Sequence, residues 1–332
     1  MSGNGQYQIA YTDSIGAGSN QLYVSNDYGS TWTAKESPRV WSDIKLSFDG
    51  QIQVALENAA GSGRIYVSVN FGNTWQARGP VNAWTYVALS LTGEKMTVVS
   101  SGISGALYFS SDFGTTWTSP VNPPWDGLGV GAFKGIAMNA AGDKQTAAAG
   151  NYIYISSDFG ATWTNPLYRW NVSQPVISSN AQIQMLYGAE TQFQTFPQIN
   201  VSVDFGATWA KKEYITTRDW RRLAISADGT RAAGIVGGNQ IFVSSNTGNT
   251  WTSKLTVDPF VALILLEMSS NGKNLIAGAY RQLYVSTDYG ENWALKYLPA
   301  ALTDLKISSD GTHGTATLTT EKIYTTQRTR LI

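Results

Sequence analysis

Hydrophobic and polar positions alternate in short runs along the whole chain. Trp41 to Gly50 reads WSDIKLSFDG, Gln51 to Glu57 reads QIQVALE, and Arg64 to Ser68 reads RIYVS. Alternation with period two over a few residues, closed by Gly, Asp or Asn, predicts β-strands joined by tight turns. No stretch carries the 3.6-residue apolar period of a long helix, which excludes helical repeats. The predicted strands group in fours, here A, B, C and D. A turns into B on sequences such as FDGQ, LTGEK, SADGT and SSDGT, and C turns into D on an octapeptide that ends in tryptophan.

That octapeptide occurs seven times, starting at Ser25, Ser68, Ser110, Ser156, Ser202, Ser244 and Ser286, with successive starts 42 to 46 residues apart. The period suits a four-stranded propeller blade. Its third residue is Asp27, Asp112, Asp158, Asp204 or Asp288, but Asn70 and Asn246 stand there in two copies. Both side chains offer an oxygen to a backbone N–H inside a turn, so the position requires an acceptor and not a charge, which argues against a calcium ligand. A glycine fifth in every copy predicts a positive φ. The terminal rings, Trp32, Trp75, Trp117, Trp163, Trp209, Trp251 and Trp293, are expected to lock each hairpin onto the rest of its sheet.

S-x-D-x-G-x-T-W repeats of this kind resemble the Asp-box, or BNR, repeats of sialidase-like β-propellers, which also occur in xyloglucanases, sortilin-type receptors and a photosystem assembly factor. The resemblance covers nearly the entire chain. It implies an all-β fold, a ring of four-stranded antiparallel blades, in which the box is a structural turn on the face away from the usual ligand site. Seven A strands, beginning near residues 42, 85, 134, 175, 220, 262 and 303, and seven D strands predict seven blades. Eight B–C pairs leave one over, so eight blades is the alternative. Pairing the strand near residue 303 with the N-terminal B, C and D strands closes the ring from both termini. Residues 1–332 are then a single domain with a surplus terminal hairpin, 1–25 or 312–332, available for an extra edge or for strand exchange with a second copy.

Composition narrows the chemistry. Lys plus Arg and Asp plus Glu are both 23 and charged residues make up 14%. The field of a nucleic-acid binder is therefore not expected. Cysteine is absent, which removes thiol catalysis and thiolate metal sites. No run approaches the apolar length of a membrane span or leader, so the reading is a soluble chain without cofactor. Low charge with abundant Ser, Thr and Asn leans towards an extracellular or surface-associated protein.

With box and A–B turns on one face, the D–A and B–C connections share the other. These vary in length, as in TSPVNPPWDGLGVGAFK (118 to 134), TNPLYRWNVSQP (164 to 175), YGAETQFQTFPQ (187 to 198) and AKKEYITTRDW (210 to 220), and variable loops on a rigid frame are where binding concentrates. The five tryptophans outside the boxes, Trp41, Trp84, Trp125, Trp170 and Trp220, all fall in D–A connections as candidate ligand contacts. Trp41, Trp84 and Trp220 precede a W-x-x-[ILV] pattern at one offset, with Phe260 and Leu302 at nearly the same places, which equally predicts blade packing. Arg39, Arg169, Arg218, Arg221, Arg222, Arg281, Lys211 and Lys212 gather on the same side and could clamp a carboxylate. The resemblance implies three such arginines, a Tyr-Glu pair, an Asp acid and an Arg-Ile-Pro motif for a sialidase. That motif is missing here and the triad finds no residue-by-residue match.

Glycoside hydrolysis needs two facing carboxylates, and Asp43 and Asp304, in WSDIKLS and LTDLKIS, are the symmetric pair. Lys45 and Lys306 follow each by two residues, so salt-bridged channel lining explains them equally well. His313 is the sole histidine, too little for a His-based triad. Asn171-Val-Ser and Asn200-Val-Ser match the N-glycosylation acceptor. The sequence reading is thus a non-catalytic binding or scaffold propeller for a glycan or protein ligand, with self-association and glycoside hydrolysis as alternatives.

Overall fold

The structure, a computed structural model, describes residues 1–11, 20–59, 61–100, 105–121, 123–125, 132–169, 172–189, 197–212, 219–319 and 323–327. Among them, 29 strands form eight antiparallel sheets, and none of these residues is helical. In chain order the sheets are β1–β3 (Gln8–Tyr11, Asn20–Ser25, Thr33–Arg39), β4–β7 (Trp41–Leu46, Gln53–Glu57, Gly63–Ser68, Gln76–Asn82) and β8–β10 (Trp84–Leu89, Met96–Ser100, Leu107–Ser110). Next come β11–β14 (Phe133–Met138, Gln145–Ala149, Tyr152–Ser156, Thr164–Tyr168) and β15–β18 (Val176–Ile177, Gln184–Gly188, Gln198–Ser202, Ala210–Lys211). The last three are β19–β22 (Trp220–Ile225, Ala232–Val236, Gln240–Ser244, Thr252–Thr256), β23–β26 (Leu263–Met268, Leu275–Ala279, Gln282–Ser286, Ala294–Tyr297) and β27–β29 (Leu302–Ile307, His313–Leu318, Ile323–Gln327).

The sheets stand side by side around a centre, the arrangement of a β-propeller. Innermost strands β4, β8, β11, β15, β19, β23 and β27 pack against one another in that order. An opening at the centre is lined by Leu46, Leu89, Met138 and Ile177, the last residues of four of them. The A–B turns tie the ring together. The second residue of each turn donates its N–H to the carbonyl of the matching residue in the next sheet, from Gly3 to Phe48, Leu91, Ala140, Ser179, Ala227, Ser270 and Ser309 in succession. Asp310 then donates back to Gly3 at 3.4 Å and completes the circle.

The circle corrects the expected closure. Eight A–B turns exist, because Ser2-Gly3-Asn4-Gly5 is a full copy of the turn. Tyr7 N–H donates to Ser2 Oγ at 2.9 Å and Gln6 N–H to Asn4 Oδ1 at 3.0 Å, as Ile52 and Gln51 do with Ser47 and Asp49. The strand near residue 303 is β27, and it pairs with β28 and not with β1. Because the N-terminal B strand has its own turn and its own place in the circle, it does not receive β27. Among the described residues, the surplus B–C pair of the sequence reading is accommodated by two three-stranded sheets, β1–β3 with no A strand and β27–β29 with no D strand. In β8–β10 the D position shrinks to one bridge between Phe109 and Thr118.

Second strands are dominated by apolar or small residues, QTAAA in β12, AAGIV in β20 and LIAGA in β24, and every residue in them is buried. A sheet covered on both faces by its neighbours gives that pattern instead of alternation. Several polar side chains that enter this core find partners in the next sheet, while Gln53 Oε1 and Asn274 Oδ1 have none. Thr97 donates to Gln145 of the next sheet and Thr146 to Gln184, each at 2.7 Å, and Thr315 donates to Gln8. Each glutamine in turn donates Nε2 to the A–B turn, at Gly142, Ala181 and Gly5.

Candidate functional site

The octapeptides are closed structural units. In the first, Ser25 Oγ donates to Asp27 Oδ1 at 2.8 Å and accepts the N–H of Gly29 at 2.9 Å. The two carboxylate oxygens take the N–H and hydroxyl of Thr31 at 2.9 and 2.6 Å. Asn70 and Asn246 keep the Oδ1 contact to Thr74 and Thr250 N–H and reverse the second bond, with Nδ2 donating to the threonine hydroxyl at 2.9 Å. All seven box indoles donate Nε1 to the carbonyl of their own box glycine. The glycines adopt positive φ, and so does the residue before each, six times an aromatic: Tyr28, Phe71, Phe113, Phe159, Phe205, Thr247 and Tyr289 have φ between 57° and 66°. The N–H of that strained residue donates to a carbonyl at the A–B turn of the same sheet, as Phe71 does to Gln51, so box and A–B turn share one face.

The D–A and B–C connections share the opposite face: Asn58 N–H donates to Val40, Gly237 to Asp219 and Leu302 to Tyr280. The tryptophans expected there as ligand contacts are core residues. Trp41, Trp84 and Trp220 are 3%, 0% and 2% exposed and sit edge-on to Tyr66, Tyr108 and Phe242 of their own sheets. Trp125 is also buried, edge-on to Phe133, Tyr154 and Trp163. None of the four presents a free ring face; Trp220, for example, lies over Gly234 of its own sheet and packs with Met185, Ile199 and Val201 of the sheet beside it. Trp170, Asn171, Arg218 and Asp126 lie outside the described residues. Asn200 is buried, accepts Arg169 Nε at 3.1 Å and donates to Gln198, which closes it to a glycan.

The cations do not converge on one point. Arg39 pairs with Glu57 and lies over the Tyr66 ring. Arg221 pairs with Asp219 at 2.9 Å, and Arg222 Nε donates to the Ile264 carbonyl of the next sheet at 3.0 Å. Arg281 binds the Leu298 and Pro299 carbonyls, and Lys212 binds Asn249.

Asp43 and Asp304 occupy the third position of β4 and β27, and each has its lysine. Lys45 lies 3.1 Å from Asp43, and Lys306 lies 3.6 Å from Asp304 and 2.5 Å from Glu267. Burial alone would lower the Lys306 pKa, but Glu267 and Asp304, with Asp43 contributing, override it and raise it. Asp43 Oδ2 accepts Val87 N–H, which ties that carboxylate to the next sheet.

What the sequence reading missed is an aromatic group at the loop end of the β23–β26 sheet. Phe260 is 98% exposed, Tyr280 72% and Tyr297 76%. Phe260 was expected to pack in the blade. Leu263, three residues on and fully buried, takes that place instead, and the ring is left on the D–A connection. Tyr280 follows Ala279, the partner of Leu263 in β24, and Tyr297 pairs with Gln282 in β25.

No protein-family model matches the chain, and no curated protein matches it in sequence. Solved structures do match it in fold. YCF48 from Cyanidioschyzon merolae aligns with TM-score 0.63 and 14% identity over 88% of this chain and 96% of its own. A YCF48 bound to D1 peptide gives 0.61 and 14% over 97% and 96%. Hydrazine synthase of Kuenenia stuttgartiensis gives 0.65 and 11% over 90% and 98%. At these identities the likeness is one of fold, and the chain shares the β-propeller architecture of all three.

Proposed function

We propose that this propeller is a binding or scaffold protein that recognises a polypeptide through its D–A and B–C loop face, with Phe260, Tyr280 and Tyr297 as the anchor. The observation that carries the reading is the exposure of Phe260 and two tyrosines at one end of one sheet. Isolated exposed apolar residues are common, but grouped aromatics beside arginines make a partner site. Arg221 and Arg222, exposed on the same face, supply a polar rim. The opposite face is filled by Asp-box-like turns whose hydrogen bonds are internally satisfied, so recognition falls to the loops. A propeller of this fold, YCF48, has been seen with a bound peptide, which supports the choice of a polypeptide.

The test is an immobilised peptide array and a glycan array probed with the labelled protein. Saturable binding to peptides that falls at least about tenfold in Phe260→Ser and Tyr280→Ser, with the melting temperature unchanged, is expected. Binding confined to the glycan array, or peptide binding that ignores both substitutions, would overturn the proposal.

A further inference from the structure

Between the β19–β22 and β23–β26 sheets, on the face of the octapeptide turns, lies a cleft whose charge the fold leaves unspent. A cavity of about 250 Å3 opens there, lined by Arg231 immediately before β20, Thr250 of the Asn246 box, Lys254 of β22, and Tyr289 and Glu291 of the following box. Arg231 is held from two sides. Its stem packs on Gly272, where an added Cβ would lie 2.7 Å from Cδ, and its guanidinium lies 3.8 Å over the Tyr289 ring. A guanidinium stacked in this way keeps its edge of N–H groups free for an anion. Among the described residues that edge donates no hydrogen bond and forms no ion pair.

Three local differences set this cleft apart from its counterparts. First, a cation in the same place of the A–B turn meets the box aromatic of the next sheet at Lys95, over Phe159, and at Lys144, over Phe205. An acid precedes each of those lysines, Glu94 or Asp143, and Lys95 is bonded to Glu94 at 3.0 Å. Thr230 precedes Arg231 instead, with its hydroxyl on Asp228 at 2.9 Å. Second, the boxes of the two lysine sheets carry the carboxylates Asp112 and Asp158, whereas the box beside Arg231 carries the neutral Asn246.

Third, that amide releases a donor. In the Asp boxes Thr31, Thr116, Thr162 and Thr208 give their hydroxyl hydrogen to the carboxylate. Asn246 Oδ1 accepts Ser244 Oγ–H and Thr250 N–H, which fixes its Nδ2 as the donor to Thr250 Oγ1. The turn is fully satisfied, yet the Thr250 hydroxyl hydrogen is left over, at the wall of the cavity. The Asn70 box frees Thr74 in the same way, but Ile52 stands there in the place of Arg231.

We propose that this cleft binds a tetrahedral oxyanion, the sulfate or phosphate group of a small ligand, with the Arg231 fork on two of its oxygens and the Thr250 hydroxyl on a third. Glu291 is the one carboxylate among the described lining residues, and Lys254 neutralises it at 2.6 Å. The positive charge of Arg231 is therefore in excess. A planar carboxylate would spend both oxygens on the guanidinium fork, whereas a tetrahedral group has one more to offer the hydroxyl on the other wall. The site lies on the face opposite the loops and does not depend on the polypeptide reading.

Calorimetric titration of the full chain with inorganic sulfate, inorganic phosphate, glucose 6-sulfate and glucose 6-phosphate, at constant ionic strength, tests the site. Saturable binding is expected, and the tightest of the four identifies the source of the oxyanion. Arg231→Gln should weaken it at least about tenfold. Asn246→Asp keeps a turn that five boxes already build with Asp, but it returns the Thr250 hydroxyl to a carboxylate and adds a negative charge. It should also weaken binding at least about tenfold, with the melting temperature at neutral pH unchanged. Asn70→Asp makes the same exchange at the box without the arginine and should leave the affinity as it was. Absence of saturable binding, acetate binding as tightly as sulfate and phosphate, full affinity in Asn246→Asp, or an equal loss in Asn70→Asp would overturn the proposal. Phe260→Ser should not change the anion affinity, so failure here and failure of the loop-face reading are distinct results.

Discussion

The carboxylate of Asp43 accepts the backbone N–H of Val87, 3.0 Å away on the innermost strand of the next sheet, while its other oxygen holds Ile44 N–H at 2.9 Å and Lys45 at 3.1 Å. A group so engaged is a fastener between two sheets. Asp43→Ala leaves a partly buried amide and an ammonium without their acceptor and should cost about 1–3 kcal/mol in urea denaturation at neutral pH. Asp43→Asn keeps one oxygen for Val87 and should cost less than half of that. Equal stability of wild type and Asp43→Ala would refute the fastening role.

The octapeptide acid is predicted to be replaceable by its amide and by little else. Asp158→Asn should shift stability by under about 0.5 kcal/mol, because Asn70 and Asn246 already make the same turn with Oδ1 accepting at 3.0 and 2.9 Å. Asp158→Ala removes the acceptor for Thr162 N–H at 2.9 Å and the partner of Ser156 at 2.9 Å, a loss of about 1–2 kcal/mol. Thermal unfolding of the three proteins checks the order.

Acid should destabilise the fold through these same corners. Thr31 and Thr208 hydrogen bonds are the main cause that lowers the carboxyl pKa of Asp27 and Asp204. At Asp112, Asp158 and Asp288 burial works in the opposite direction, but the bonds from Thr116, Thr162 and Asn292 outweigh it and the pKa is again lowered. Each folded value lies below the unfolded one of about 3.9. The stabilisation is therefore complete above the unfolded pKa and is lost as pH falls through the folded ones. The melting temperature should hold from neutral pH to about pH 5 and drop steeply below about pH 4. Asparagine at all five positions should flatten that drop.

The frame was legible because its signals are local. A Ser, Asx, Gly and Trp at fixed offsets define the box turn by chemistry alone, and the core role of Trp41, Trp84 and Trp220 was one of two readings their shared offset allowed. Phe260 was misread because the connection into β23 places Leu263, and not the aromatic, at the buried position, and offsets in loops do not report register. The eighth turn at Ser2–Gly5 rests on only two or three letters, S-x-N-G, and Asn139 and Ala181 show that even those vary. Bonds such as Thr146 to Gln184, 38 residues apart, leave no local pattern at all.

Those inter-sheet bonds give predictions of opposite sign at equivalent places. Thr146 is fully buried and satisfies Gln184 Oε1. Thr146→Val keeps the shape but strands that oxygen, and should destabilise by about 1–3 kcal/mol. In the first interface the matching donor position, the residue after Gln8, is Ile9, which has no hydroxyl. The Gln53 Oε1 it would meet is buried without a partner. Ile9→Thr should supply the missing donor and gain about 0.5–1.5 kcal/mol, partly offset by the lost ethyl group of a residue only partly buried. Parallel urea titrations decide the matter. Destabilisation by both substitutions would mean that the hydroxyl at this position matters for packing and not for the glutamine it faces.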